Sequence, residues 1–269
     1  MKRGQEKMKK TTISVSLVLS GLLLSVGALN AQAAAVGENA STTGRVDFEV
    51  AGPGSIGNVI KPDTEEEQIV VPGGDFTTGP LRLTHVPDFD FTTMEIASET
   101  VFGKAAFETY TSKTVTEAEN IAHFAQVEDV RGGTADGWTL HVSATPFKTS
   151  SADGDLVLDK SAIVLTEGQI FNTRHTGTNL TSRVDGFSAD TLITNDNQDV
   201  QILKTISGQS TNSTKTSLVF NNAYSQSDLV GGATDGYNSG VQLKAVGSDE
   251  KVKDKEYTAT LTWTLAAAL

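Results

Sequence analysis

The sequence predicts an all-β protein, an antiparallel β-sandwich or barrel-like single domain. Three observations carry this. Short β-branched runs alternate with Gly, Asn and Asp clusters. Stretches with apolar residues at helical spacing are scarce. The chain also finishes on Tyr257-Thr258-Ala259-Thr260-Leu261-Thr262-Trp263-Thr264-Leu265, apolar at every odd position and Thr at every even one. Side chains of a strand point alternately to opposite faces, so Tyr257, Ala259, Leu261, Trp263 and Leu265 share one face and the threonines cover the other.

The first 33 residues read as a secretory signal peptide. Lys2, Arg3, Lys7, Lys9 and Lys10 form a basic start, and either Met1 or Met8 serves as the first residue. Ile13 to Leu29 is mostly apolar, and Ala31-Gln32-Ala33 is a small-x-small cleavage site. Ser14, Ser16, Ser20, Gly21 and Ser25 dilute the run below the ~20 apolar residues of a membrane span. No second hydrophobic run follows, so no membrane span is expected after cleavage. Residues 34–41 are small and polar, and are expected to be a disordered tail.

Residues 42–269 form the expected domain. Its candidate strands are Gly44–Val50, Leu81–Val86, Gly137–Thr145, Ile163–Glu167, Asp199–Ile206, Thr216–Asn221, Gly240–Val246 and Tyr257–Leu265. Trp138, Leu140, Val142 and Ala144 share a face, as do Val241, Leu243 and Ala245. Residues 52–79 hold Asp63, Glu65, Glu66, Glu67 and Asp75 and read as an acidic linker or loop. Thr114 to Gln126 has Val115, Ala118, Ile121 and Ala122 at roughly helical spacing, but a strand over Asn120–Val127 is the preferred reading.

Charge and composition exclude several function classes. Without the signal segment, 16 basic and 32 acidic residues remain, a net charge of −16. That opposes electrostatic binding to nucleic acid or to anionic polymers. There is no cysteine, so disulfides, thiolate–zinc sites and cysteine nucleophiles are absent, and stability must come from a hydrophobic core. His85, His123, His141 and His175 lie in no zinc-binding run. Gly186-Phe187-Ser188-Ala189-Asp190 lacks the second glycine of a nucleophile elbow. No nucleotide fingerprint occurs. Asp153-Gly154-Asp155 with Asp159, and Asp196-Asn197-Gln198-Asp199, are oxygen-rich but lack the spacing of a calcium loop, and turn chemistry accounts for them better. No catalytic residue, metal or cofactor is expected.

Both tryptophans of the chain begin a Trp-Thr-Leu triplet: Trp138-Thr139-Leu140 and Trp263-Thr264-Leu265. Each has Leu two residues on, on its own face. That suits a sheet interior, where an aromatic this size buries 150–250 Å². The competing reading is a stacking platform for sugars or a groove for a partner. On either reading the two tryptophans should sit in one sheet system with neighbouring side chains.

With these motifs, the chain resembles the WxL-domain cell-surface proteins of Gram-positive bacteria. Thr43-Gly44-Arg45-Val46-Asp47-Phe48 is similar to the family's opening strand. Gly79-Pro80-Leu81 with Val86-Pro87-Asp88-Phe89-Asp90-Phe91 is similar to the segment after its linker. Val127-Glu128-Asp129-Val130-Arg131-Gly132 and Gly137 to Ala144 are similar to the stretch around its first motif. The resemblance implies an extracellular protein attached non-covalently to the cell wall through peptidoglycan. It also implies docking to companion proteins, notably the WxL-interacting surface protein and other wall-associated proteins. The chain departs from the family pattern in its acidic 52–79 segment and its Ala266-Ala267-Ala268-Leu269 end. No sortase signal is seen at the C-terminus, so the domain itself is expected to hold the wall. The alternative is an adhesin or structural subunit whose main ligand is a protein partner.

Overall fold

Four antiparallel sheets and one short strand pair build the protein, with a single helical turn between strands among the described residues. The computed structural model describes residues 45–268 except 134–136, 151, 153, 155, 223 and 225–235. The expected signal segment and the expected 34–41 tail lie outside the described residues. Asp47–Leu269 is one compact unit, and its sheets confirm the all-β expectation.

One sheet holds both tryptophan motifs. It runs β13 (Val184–Gly186), β15 (Val200–Thr205), β8 (Trp138–Ala144), β18 (Leu261–Ala267). A second runs β12 (Gln169–Asn172), β16 (Thr214–Val219), β7 (Phe124–Asp129), β3 (Leu81–His85). A third runs β14 (Thr191–Ile193), β11 (Ala162–Leu165), β17 (Tyr237–Ala245), β4 (Val101–Ala106). The fourth is β1 (Val59–Ile60), β2 (Gln68–Val70), β5 (Glu108–Ser112), β6 (Glu119–Ile121). β9 (Phe147–Lys148) pairs with β10 (Val157–Leu158), and α1 spans Gly177–Thr181.

Two cores result. The main one gathers Leu83, Val127, Trp138, Leu140, Val142, Ile163, Leu165, Leu203, Leu218, Phe220 and Val241, with others. A smaller one holds Ile69, Tyr110, Ile121, Phe124, Val219 and Tyr224. β7 feeds both: Ala125 and Val127 face the main core and Phe124 the smaller one. A strand buried on both faces loses the alternation of a half-exposed one. The helical spacing of Val115, Ala118, Ile121 and Ala122 lies before β7, in and around β6. The structure shows strands there, β6 and β7, interrupted at Ala122–His123.

The 52–79 segment is more than a connection. It contributes β1 and β2, and Ile60, Lys61 and Ile69 are buried. Gln126 on β7 ties it down. The amide oxygen accepts from Ile60 N (3.0 Å) and Thr84 Oγ1 (2.8 Å). The amide nitrogen donates to Ile60 O (2.7 Å) and Ser217 Oγ (2.8 Å). All four hydrogen-bonding positions of the buried amide are used, so it incurs no desolvation penalty for an unmet group. The acidic side chains stay on the rim while alternate apolar ones turn in.

The expected Gly44–Val50 strand is not formed. From Arg45 onward it lies outside every sheet, with Val46, Phe48 and Val50 exposed. At 196–199 the turn reading holds: Thr194 Oγ1 and Gln198 N donate to Asp196 Oδ1, and Asn197 takes φ 58°. Asp153 and Asp155 lie outside the described residues.

Candidate functional site: the paired tryptophan motifs

β8 and β18 run antiparallel, and their register places one motif against the other. Leu140 stands opposite Leu265, Trp138 opposite Ala267, and Trp263 opposite Val142. Opposed residues of a ladder point to the same face, so both tryptophans and both leucines lie on the inner side of one sheet. The predicted shared sheet is therefore present, but the two tryptophans are not immediate neighbours: Trp263 stands opposite Val142, four residues along β8 from Trp138. The tryptophans flank the leucine pair from opposite ends.

Their environments differ. Trp138 is fully buried, its Nε1 donating to Thr211 Oγ1 at 2.8 Å and its backbone N to Thr205 Oγ1 at 2.8 Å. A buried indole N–H needs such a partner. Trp263 packs against the main core but stays partly exposed. Its ring lies 6.5 Å from that of Phe89 in an edge contact and 6.2 Å from that of Phe220. Phe89 also meets Phe220 at 6.0 Å and His123 at 5.2 Å. Edge and tilted contacts at these separations match the preferred geometry of aromatic pairs. The first motif is thus core, and the second is the rim of an aromatic cluster.

The approach to Trp138 is clamped. Asp129, almost wholly buried, accepts from Arg131 Nε (2.9 Å) and Nη2 (2.8 Å), and Arg131 Nη2 also donates to Gly137 O (3.2 Å). Gly137 O accepts from Ala268 N as well, at 2.9 Å. A side chain at Gly137 would meet Thr205 Oγ1 at 2.5 Å and the Ala268 methyl at 3.3 Å. The missing Cβ therefore lets the strand end close.

The outer side of the same sheet is polar. Thr262 and Thr264 are exposed, Thr264 lies opposite His141, and His141 lies opposite Gln201. Thr139, flanked by Ala266 and Lys204, extends the row. Lys204 pairs with Asp185 at 3.8 Å on the exposed edge. A cleft of about 480 Å³ sits at this end, lined by Gly137, Asp185, Lys204, Thr205, Ser207 and Ala268 among others. The face offers hydroxyls, an amide, an imidazole and one ion pair, donors and acceptors suited to sugar hydroxyls or amide groups.

A second polar cluster lies inside the protein. His85 Nε2 contacts Glu108 at 3.3 Å, and Asn238 Nδ2 donates to His123 Nδ1 at 3.0 Å. Burial, and then the neighbouring His85, push the His123 pKa down to about 3. Burial raises that of Glu108, with the His85 contact opposing. Among the described residues no group of three or more His, Asp or Glu side chains is arranged to hold a metal ion.

The sequence matches the model of the WxL family, a surface cell wall-binding domain, over residues 35–268. This chain belongs to the WxL family. No curated protein and no solved structure matches it. The WxL assignment makes it a cell wall-binding surface protein of a family that is not defined by catalysis. Trp138, Thr139 and Leu140 are brought beside Trp263, Thr264 and Leu265 by the β8–β18 ladder. Sequence reasoning missed the surroundings of the motifs: Phe89 and Phe220 around Trp263, and Thr211 beneath Trp138. Only the spacing of Phe89 and Phe91 hinted at an aromatic cluster.

Proposed function

We propose that this WxL protein is exported and held non-covalently on peptidoglycan through the β13-β15-β8-β18 sheet. The observation that carries this is the Leu140–Leu265 pairing. It joins the two motifs into one rigid sheet whose inner face is core and whose outer face presents Thr139, His141, Gln201, Thr262 and Thr264. Hydroxyl and amide groups on a flat strand surface suit an extended glycan or stem peptide. Trp138 acts by fixing that surface, while Trp263, partly exposed, is available at its margin. The acidic chain has no electrostatic attraction to anionic wall polymers, so contact is short-ranged. Docking to a companion surface protein such as the WxL-interacting protein completes the reading.

Co-sedimentation with purified peptidoglycan stripped of teichoic acids tests this. The parent should pellet with the wall. Thr264→Ala combined with His141→Ala should remain in the supernatant while melting like the parent. A parent protein that does not pellet overturns the reading and favours the protein-partner alternative.

A further inference from the structure

The edge of β18 is open. Thr145 N donates to Thr260 O at 3.0 Å and Ala268 N to Gly137 O at 2.9 Å, so even-numbered residues of β18 bond to β8. In an antiparallel ladder the alternate residues direct their backbone groups the other way. The N–H and C=O of Leu261, Trp263, Leu265 and Ala267 therefore point away from β8. Among the described residues no strand or backbone group pairs with them there. The edge is seven residues long and in unbroken register. From Tyr257 to Ala268 it has no charge and no proline. It thus lacks, in its own residues, the charge, proline or bulge that usually blunts an exposed edge.

The same chain carries a segment of matching character. Val46-Asp47-Phe48-Glu49-Val50 alternates apolar and acidic residues, yet belongs to no sheet. Val46 is 69%, Phe48 91% and Val50 56% exposed. Alternation of this kind marks a half-buried strand, and here its apolar side chains stay mostly exposed. Five residues of strand extend about 16 Å, within the length of β18.

We propose that Val46–Val50 of one copy adds as a strand to the open β18 edge of a second copy. Val46, Phe48 and Val50 then continue the apolar face of Leu261, Trp263 and Leu265, with Phe48 meeting the Trp263–Phe89 cluster. Asp47 and Glu49 fall on the outer face beside Thr262 and Thr264. Charge decides in favour of this surface. The chain is strongly acidic, but β18 and the outer face of β8 carry hydroxyls and His141 and no carboxylate, so the two acids meet no like charge. Main-chain hydrogen bonds supply the affinity, and the alternating side chains the register. The association is independent of wall binding, since no wall component takes part.

The absence of native cysteine makes a disulfide test clean. The chain from Ala34 onward is made with Glu49→Cys, with Thr264→Cys or Thr262→Cys, and with Thr181→Cys on the exposed helical turn as a collision control. Mixing the Glu49→Cys copy with either strand variant under mild oxidation should give a cross-linked heterodimer. Its yield should fall about tenfold when the Glu49→Cys copy also carries Phe48→Asp, the loss expected for removing one buried aromatic. Heterodimer no more abundant than with Thr181→Cys overturns the proposal. So does cross-linking confined within single chains bearing both substitutions, which assigns the edge to the chain's own segment. Sedimentation equilibrium gives a cysteine-free check: the parent should dimerise with concentration and Phe48→Asp should stay monomeric, and a parent monomeric at all concentrations again overturns it.

Discussion

Leu140 and Leu265 face each other across the β8–β18 ladder and make a local two-fold of the two motifs. Each leucine is followed, across the strand gap and two residues along, by the partner motif's tryptophan. The arrangement looks symmetric in sequence, but the burial is not. Thr211 and the main core enclose Trp138, whereas Trp263 lies at a sheet edge.

That asymmetry sets the order of two truncations. Trp138→Ala should cost about 3–5 kcal/mol, as expected for a fully enclosed tryptophan. Trp263→Ala should cost clearly less, because part of its surface is already in water. Urea denaturation of the two variants measures this, and equal losses would contradict the burial difference. Wall binding lost by a well-folded Trp263→Ala would assign that ring a contact role.

Thr211→Val keeps the shape but removes the acceptor of the Trp138 indole. A buried donor left unmet costs about 1–3 kcal/mol. Thermal melting should show this loss in Thr211→Val and a smaller one in Thr211→Ser, which keeps the hydroxyl and gives up only a buried methyl.

Arg131→Ala leaves the Asp129 carboxylate buried with, among the described residues, the backbone N–H of residue 131 still donating to it. Removing one partner of a buried pair costs up to about 3–5 kcal/mol. Asp129→Asn with Arg131→Ala should recover part of that loss, and a double-mutant cycle by urea unfolding checks it.

Acid should weaken the fold through His123. Its folded pKa, about 3, lies below the unfolded value of 6.5. A depressed pKa gives stability that is complete above the unfolded value and lost as pH falls toward the folded one. The slope approaches ~1.4 kcal/mol per pH unit inside that window. Glu108, with a raised pKa, contributes in the opposite sense, its share being lost as pH rises through the folded value. His123→Asn keeps an acceptor for Asn238 and should flatten the stability profile between pH 6 and 4, read from urea midpoints.

Attachment should yield to chaotropic extraction of intact walls without wall-digesting enzymes. Deleting Tyr257 to Leu269 should abolish retention, since β8 loses a ladder partner and the core loses Leu261, Trp263 and Leu265. Raising salt should leave binding unchanged or strengthen it, because screening acts on repulsion. A steep salt-induced release in pull-downs would point to a basic contact instead.

The fold class, the WxL resemblance and the faces of β8 and β18 are legible in the amino-acid pattern. Those strands are half-buried, and a half-buried strand prints its geometry as alternation. The pattern is silent on β4, β5, β9, β10 and β12 to β14, which are short or mixed on both faces. Other features depended on partners distant in the chain. Gln126 captures Ile60 across 66 residues and turns an acidic stretch into part of a sheet. Val46–Val50 has a strand's pattern and no sheet, because pairing needs an edge as well as a pattern. That Trp138 is enclosed and Trp263 marginal follows from packing alone. The triplets are identical, and what differs is whether a further strand lies beyond: β15 covers the far side of β8, and nothing among the described residues covers the far side of β18.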